Sequence, residues 1–168
     1  MEKRGLILIV EDDSINKRIL SNLFCEQFEI MEAENGKEAL DIIQCQENKL
    51  SVIILDVYMP VVDGYSVLKI LSNNNKWRNI PVVVTTSEES VESDQRLLDL
   101  GAVTVIHKPI NAGIVKRHIN NIVDRQKEHA SFMKDYMLQK SLIHKTANTF
   151  TCAYHFNDQT VVMEQQYS

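Results

Sequence analysis

Residues 6–13 read LILIVEDD, so a run of five apolar residues is followed at once by three acids. A strand that is covered on both faces is apolar along its whole length, whereas a strand with one solvent-exposed face alternates between apolar and polar residues. The run therefore predicts a fully buried strand of the kind found in parallel sheets. A helical pattern of apolar residues begins at Ile15, and Asp13 or Ser14 can cap that helix.

The rest of the chain repeats this alternation of apolar runs and amphipathic stretches. Further strands are predicted near residues 29–33, 52–55, 82–84 and 103–106, and a helical pattern follows each of them. Five strands that alternate with five helices predict an α/β fold, in which a parallel sheet is covered on both faces and joined by right-handed crossovers.

Composition limits the class of protein. The chain has 168 residues, 44% of them hydrophobic and 24% charged, which is typical of a globular domain with room for a short appendage. The net charge of -5 argues against nucleic-acid binding by bulk electrostatics. The apolar runs are far shorter than the roughly 20 residues that cross a bilayer. We therefore expect no membrane association and a cytoplasmic location.

Residues with useful chemistry follow the carboxyl ends of the predicted strands. Glu11 and Asp12 follow the first strand, Asp56 the third, Thr86 the fourth and Lys108 the fifth. Ligands of open α/β sheets bind in the crevice at this edge, where the strand order reverses. If the first and third strands are neighbours, the two groups of acids converge there.

Carboxylates at close range are stable only when they are protonated or bind a cation. Glu11, Asp12 and Asp56 offer the oxygen ligands that suit Mg²⁺. Lys108 offers a point charge for a phosphoryl oxygen, and Thr86 offers a hydroxyl donor. Together these groups predict phosphoryl transfer onto an aspartate. The alternative is that the acids are only solvated helix caps.

Four motifs, in order, resemble the receiver domain of two-component response regulators. They are residues 6–13 (LILIVEDD), 55–64 (LDVYMPVVDG), 81–87 (PVVVTTS) and 107–110 (HKPI). The resemblance covers residues 4–125, which we take as the receiver domain. It implies a doubly wound sheet with the strand order 2-1-3-4-5.

The resemblance also implies a role for each matching acid. Asp56 would accept a phosphoryl group from a phosphohistidine on a sensor histidine kinase or a phosphotransfer protein. Glu11 and Asp12, together with Asp56 and the backbone carbonyl of Tyr58, would bind Mg²⁺. Glu11 stands where Asp is commoner in the family, and its longer side chain still presents a carboxylate.

By the same resemblance, Thr86 is the switch hydroxyl and Lys108 the phosphoryl-binding amine, with a cis peptide bond between Lys108 and Pro109. Val105 departs from the family pattern. The family usually has Tyr, Phe or His at that strand position, and its ring swings inward as the threonine hydroxyl turns toward phosphate. Valine has no ring to swing.

Residues 126–168 form an extension. Heptad spacing from Val115 to Ile143 predicts that the last helix continues past Arg125. That helix either lies on its own receiver or in solvent, or it is a parallel connector that forms a homodimer. Residues 150–154 and 159–163 indicate a short β-hairpin, or the start of a larger output module.

The leading hypothesis is a phosphorelay receiver that switches interactions with a partner or an output domain and turns over no separate substrate. A second hypothesis is a Mg²⁺-dependent phosphohydrolase that works through an aspartyl phosphate. Tyr58 counts against it, because the usual loop of such enzymes has a second Asp there. A third is a receiver-like adaptor that is controlled by binding without phosphorylation.

Overall fold

The computed structural model describes the backbone of residues 3–164 and the side chains of residues 3–141. Five strands form one sheet in which every pair is parallel, in the order β2-β1-β3-β4-β5. This confirms the predicted doubly wound sheet. The strands are β1 (Leu6–Val10), β2 (Glu29–Ala33), β3 (Leu50–Asp56), β4 (Val82–Thr86) and β5 (Ala102–His107).

A helix follows each strand, as predicted. The end of the third strand is the main refinement, because β3 continues through Asp56 and so places this acid within the sheet. The helices are α1 (Ser14–Phe24), α2 (Gly36–Gln46), α3 (Gly64–Asn73), α4 (Val91–Asp99) and α5 (Ala112–Glu164).

The sheet separates two hydrophobic cores, and β1 contributes to both. Leu8 and Val10 pack on one face with side chains of α2, α3 and α4. Ile7 and Ile9 pack on the other face with α1 and the first turns of α5. Each of these side chains is buried, which stabilises the fold by about 1.5–3 kcal/mol per residue. The apolar run in the sequence is explained by this burial on both faces.

Capping residues start the helices that flank the acidic edge of the sheet. Asp13 caps α1, because its Oδ1 atom accepts from the amides of Ile15 and Asn16 at 3.0 and 2.8 Å. Asp63 caps α3 by accepting from the amide of Ser66 at 2.7 Å. A cap of this type is worth about 1 kcal/mol. The acids of the two motifs therefore also fix where these helices begin.

The chain divides into two compact units, residues 1–124 and 125–168. In the first unit, Val115, Ile119 and Val123 of α5 are buried at helical spacing. In the second unit, the described side chains through residue 141 are exposed. Among the residues that the structure describes, no helix is both long enough and apolar enough to span a membrane.

The predicted hairpin is wrong, because residues 150–154 and 159–163 lie within α5. No Gly or Pro interrupts the sequence after Gly113, so nothing breaks the helix. A helix satisfies its own backbone hydrogen bonds, whereas two isolated strands are marginal in water. The idea of a larger output module stays a prediction.

The loop between β3 and α3 contains a strained residue. Val61 has a φ of 68°, and the amide of Val62 donates to the carbonyl of Pro60 at 2.8 Å across it, which closes a three-residue γ-turn. A β-branched residue is disfavoured at positive φ. Because 78% of Val61 is exposed, packing does little to offset the strain.

We therefore expect Val61→Gly to raise the free energy of unfolding by about 1 kcal/mol, since glycine adopts positive φ without strain. Urea denaturation measures this change. Val91→Gly is the matched control, because Val91 is equally exposed but has ordinary backbone dihedrals. We expect Val91→Gly to lower the free energy of unfolding. If Val61→Gly lowered it as well, Val61 would not be strained.

Candidate phosphoacceptor site

The sheet order places the two acidic segments side by side. Val10, the last residue of β1, pairs with Leu55 of β3, and the next residue of the chain after each of them is an acid, Glu11 or Asp56. The amide of Glu11 donates to the carbonyl of Ala33 at 3.0 Å, which fixes its backbone against β2. The reversal of strand order therefore brings the two acidic segments together at the carboxyl edge of the sheet, as the sequence predicts.

Glu11, Asp12 and Asp56 meet at this edge of the sheet. One carboxylate oxygen from each residue lies within 4.8 Å of the other two. Glu11 and Asp56 are almost completely buried, at 1% and 3% exposure, whereas Asp12 is open to solvent. The cluster is therefore buried on the protein side and accessible on one side only.

Lys108 neutralises part of this charge. Its Nζ atom lies 2.7 Å from Asp56 Oδ2 and 3.0 Å from Glu11 Oε1. The amide of Lys108 donates to the carbonyl of Thr86 at 2.7 Å, and the Lys108–Pro109 peptide is cis. Three carboxylates face one ammonium group, so negative charge remains in excess.

The buried charges shift each other's pKa. Burial raises the pKa of the Glu11 carboxyl, and the charge of Asp56 adds to the rise, although Lys108 opposes it. Burial alone would lower the pKa of Lys108, but its hydrogen bonds to Asp56 and Glu11 outweigh burial and raise that pKa. Lys108 therefore stays charged, whereas ionisation of Glu11 costs free energy.

The donor set fits a hard divalent cation. Glu11 Oε2 is buried and has no hydrogen-bond partner among the described residues, which is costly for a carboxylate oxygen that nothing compensates. All three side chains supply oxygen, the ligand that Mg²⁺ prefers, and the open side at Asp12 leaves room for the waters that Mg²⁺ keeps. A cation bound at this acidic cluster would give the buried oxygen of Glu11 the partner that it lacks.

Thr86 lies at the end of β4, one residue beyond the Thr85 that pairs with Asp56. It is fully buried, and its Oγ1 atom accepts from the amide of Glu88 at 3.1 Å. Because the hydroxyl is used there as an acceptor, its own hydrogen is free to be donated to another group.

A sequence model of the response regulator receiver domain matches residues 7–120, more than half of the chain. The chain belongs to the response regulator receiver family. Receiver domains act in two-component systems, where they interact with histidine kinases or phosphotransfer proteins.

Individual relatives agree with this assignment. The two-component response regulator ORR5 of Oryza sativa is 30% identical over 118 residues, which are 70% of this chain and 87% of ORR5. A Vibrio cholerae protein named "Probable cyclic di-GMP phosphodiesterase" is 28% identical over 135 residues, 80% of this chain. This chain spans only 29% of the length of that relative.

Among solved structures, the CheX–CheY–BeF3–Mg²⁺ complex of Borrelia burgdorferi contains a similar chain. It superposes with a TM-score of 0.65 at 26% identity, and the match covers 70% of this receiver and 88% of that chain.

The side chain of Tyr58 forms a hydrogen bond that the sequence did not predict. Its side chain is half exposed, and its hydroxyl donates to the Glu88 carboxylate. That hydrogen bond raises the pKa of Tyr58 to about 12. The expected coordination of a cation by its backbone carbonyl stays a prediction.

Gly64 is required by close packing under the site. A Cβ atom at this position would lie 2.4 Å from the carbonyl oxygen of Asp56 and 2.8 Å from the α-carbon of Val57. The amide of Gly64 donates to the carbonyl of Val57 at 2.8 Å. The sequence marks Gly64 only as a loop residue, whereas in the structure it packs directly against the backbone of Asp56.

Sequence reasoning missed Asn16 and Glu88. Asn16 Nδ2 lies 3.4 Å from Glu11 Oε1, and Asn16 is in the first turn of the helix that begins after Asp13. The sequence feature that could have identified Asn16 is its spacing of five residues from Glu11. Glu88 bonds both Thr86 and Tyr58, but nothing in its local sequence distinguishes it from a solvated loop acid.

Proposed function

We propose that this receiver accepts a phosphoryl group onto Asp56 from a phosphohistidine of a sensor histidine kinase or a phosphotransfer protein, in a Mg²⁺-dependent reaction. The supporting observation is the contact of 2.7 Å between Lys108 Nζ and a buried Asp56 carboxylate, within a cluster of three acids. Phosphorylation then switches the interactions of the receiver with a partner or an output domain.

In the proposed reaction, a carboxylate oxygen of Asp56 attacks phosphorus and forms an acyl phosphate. The bond between phosphorus and the donor imidazole nitrogen breaks, and that nitrogen keeps the electron pair and takes a proton from water. Lys108 neutralises a phosphoryl oxygen, and the free hydrogen of Thr86 is donated to another.

Glu11, Asp12 and Asp56 would hold the cation, with the carbonyl of Tyr58 as a further ligand. Bound Mg²⁺ would neutralise charge that develops on the phosphoryl oxygens. The Borrelia burgdorferi complex described above, which contains BeF3 and Mg²⁺, supports carrying this chemistry over to the present receiver.

The proposed cycle ends when water attacks the same phosphorus, which releases inorganic phosphate and restores the Asp56 carboxylate. The receiver thus acts once on itself in each cycle. Receiver domains are in general signalling domains, and we propose no separate substrate for this one.

Mg²⁺ should stabilise the folded receiver. A ligand at a hundredfold excess over its dissociation constant adds about 2.7 kcal/mol to the free energy of unfolding. We expect Glu11→Gln and Asp12→Asn each to remove most of this gain, since each removes a carboxylate from the cluster. Urea denaturation with and without MgCl₂ measures it. Asp41→Asn, an exposed acid of α2, is the control. An equal Mg²⁺ effect in Asp12→Asn would contradict the assignment.

Two alternatives differ in measurable ways. Repeated turnover of a small phosphate ester would favour a phosphohydrolase, against which Tyr58 still argues. Unchanged partner affinity with and without beryllofluoride would favour an adaptor that is never phosphorylated. The contact between Lys108 and Asp56 and the buried hydroxyl of Thr86 favour the phosphorelay receiver over both.

The role of the second unit stays a prediction. Phe132, Met133, Tyr136 and Met137 are exposed at helical spacing on α5. A connector helix requires such a stripe for a second copy of the chain, and a solvated helix does not. Homodimer formation, the cytoplasmic location and the lack of nucleic-acid and membrane binding likewise remain expectations from the sequence.

A further inference from the structure

The loop after β4 contains hydrogen bonds that phosphoryl transfer does not require. Every polar group of Glu88 takes part. Its amide donates to Thr86 Oγ1 at 3.1 Å, and its carbonyl accepts from His107 Nδ1 at 2.9 Å. Its carboxylate accepts from Ser93 Oγ at 3.1 Å and from the Tyr58 hydroxyl. Glu88 therefore connects the end of β4, the end of β5, the loop after β3 and the helix α4.

His107 extends this network to α4. Nδ1 donates to the Glu88 carbonyl, and Nε2 lies 3.0 Å from Asp94 Oδ2, to which it donates when both ring nitrogens carry a hydrogen. The second oxygen of Asp94, Oδ1, is buried without a partner among the described residues. If His107 moved away, Asp94 would lose this partner too, which leaves both of its oxygens without a partner among these contacts. His107 and Asp94 are therefore expected to move together.

The first turn of α4 is held at a second point. Ser93 is buried, bonds the Glu88 carboxylate and also contacts the Tyr65 hydroxyl at 2.7 Å. Two links thus join the loop to this turn, one through the side chain of Glu88 and one through His107. Displacement of the Glu88 backbone would therefore disturb both links to α4.

Because Val105 has no aromatic ring, the hydrogen bonds of Glu88 and His107 are the candidate connection between Thr86 and α4. Val105 is half-buried against the core formed with α2, α3 and α4, and it has no ring that could move with Thr86. We propose that Glu88 and His107 couple Thr86 to the first turn of α4, so that occupancy of the phosphoacceptor site reaches α4 without an aromatic residue at position 105. This inference rests on the proposed function. His107 is a positioning residue, because it acts through Glu88 and Asp94.

The coupling follows from the hydrogen bonds of Thr86. When Thr86 Oγ1 moves toward a phosphoryl oxygen to donate its free hydrogen, the Glu88 amide either loses its acceptor or follows it. Because the carbonyl and carboxylate of Glu88 are bound as well, the backbone moves together with His107 and Ser93. Two arrangements of packed, hydrogen-bonded groups are the usual basis of a switch.

The test uses the full chain with beryllofluoride and MgCl₂ as the probe. Binding at Asp56 is measured by ¹⁹F NMR of the bound probe, and the response of α4 by hydrogen exchange of its amides. His107→Asn keeps a donor for the Glu88 carbonyl and loses the contact with Asp94, whereas His107→Gln does the opposite. Gln95→Ala is the control, because it removes a hydrogen bond between Gln95 and Asp99 on α4 outside the network.

In the wild type and in Gln95→Ala, the probe should change amide exchange at the start of α4 by at least about fivefold, the low end of measured couplings. Both His107 variants should still bind the probe and should show less than about a twofold change. A full α4 response in both variants, or none in a wild type that binds the probe, would overturn the inference. A wild type that does not bind the probe would instead overturn the proposed function.

Discussion

Asp56→Asn is expected to eliminate phosphoryl uptake, with a fall in rate of at least about 10⁴-fold, as is typical when a nucleophile is removed. An amide nitrogen does not form the acyl phosphate, and the variant also loses the negative charge that faces Lys108 at 2.7 Å. The measurement is labelling by radioactive acetyl phosphate with MgCl₂, followed by separation of the protein. Labelling of the variant at the wild-type level would rule out Asp56 as the acceptor.

The fold should survive this substitution. Asn has nearly the same volume as Asp, and removal of the Asp56 carboxylate relieves its repulsion with Glu11 while it weakens its contact with Lys108. Circular dichroism and thermal unfolding should therefore resemble the wild type. Asp41→Asn, far from the acidic edge in sequence and exposed on α2, should label normally. Lost labelling in a folded protein would then report on chemistry alone.

Gly64→Ala is expected to have the second-largest effect. The added Cβ would lie 2.4 Å from the Asp56 carbonyl oxygen, and backbone cannot yield as a flexible side chain can. Overpacking of this kind lowers the free energy of unfolding by about 1–3 kcal/mol. A displacement of Asp56 by about 1 Å would slow phosphoryl uptake by about a hundredfold. Urea denaturation and the labelling assay measure the two effects separately.

Gly113→Ala is the matched control. This glycine lies in the first turn of α5, where the nearest atom to an added Cβ is Asn111 Oδ1 at 3.4 Å. Alanine is favoured over glycine in a helix by up to about 1 kcal/mol, so the control should be neutral or more stable. If Gly64→Ala behaved like this control in both assays, the contact beneath Asp56 would have no role in placing the acid.

Much of the fold was predictable, because burial on both faces leaves a clear signal. The run at residues 6–10 is apolar throughout since its side chains alternate between two cores. The positions of Glu11 and Asp56 then follow from the strand ends. The convergence of these acids required only that β1 and β3 be neighbours, which the family resemblance supplied and the structure confirms.

Other features depend on contacts that local sequence does not encode. The hairpin prediction failed because apolar and β-branched residues after Thr146 suit a strand locally, although α5 continues through them. The hydrogen bonds of Glu88 and His107 were missed because their partners lie in other elements. The positive φ of Val61 was missed because valine is an improbable residue for that conformation.

The unequal burial of the three acids has a kinetic consequence. Asp12 faces solvent while Glu11 and Asp56 are enclosed, so a cation could reach the cluster past Asp12 without any opening of the sheet. The rate of loading would then be set by how fast Mg²⁺ releases its own water shell, a slow step for this ion. Under the proposed Mg²⁺ binding, exchange of the cation would therefore not depend on local unfolding of the chain.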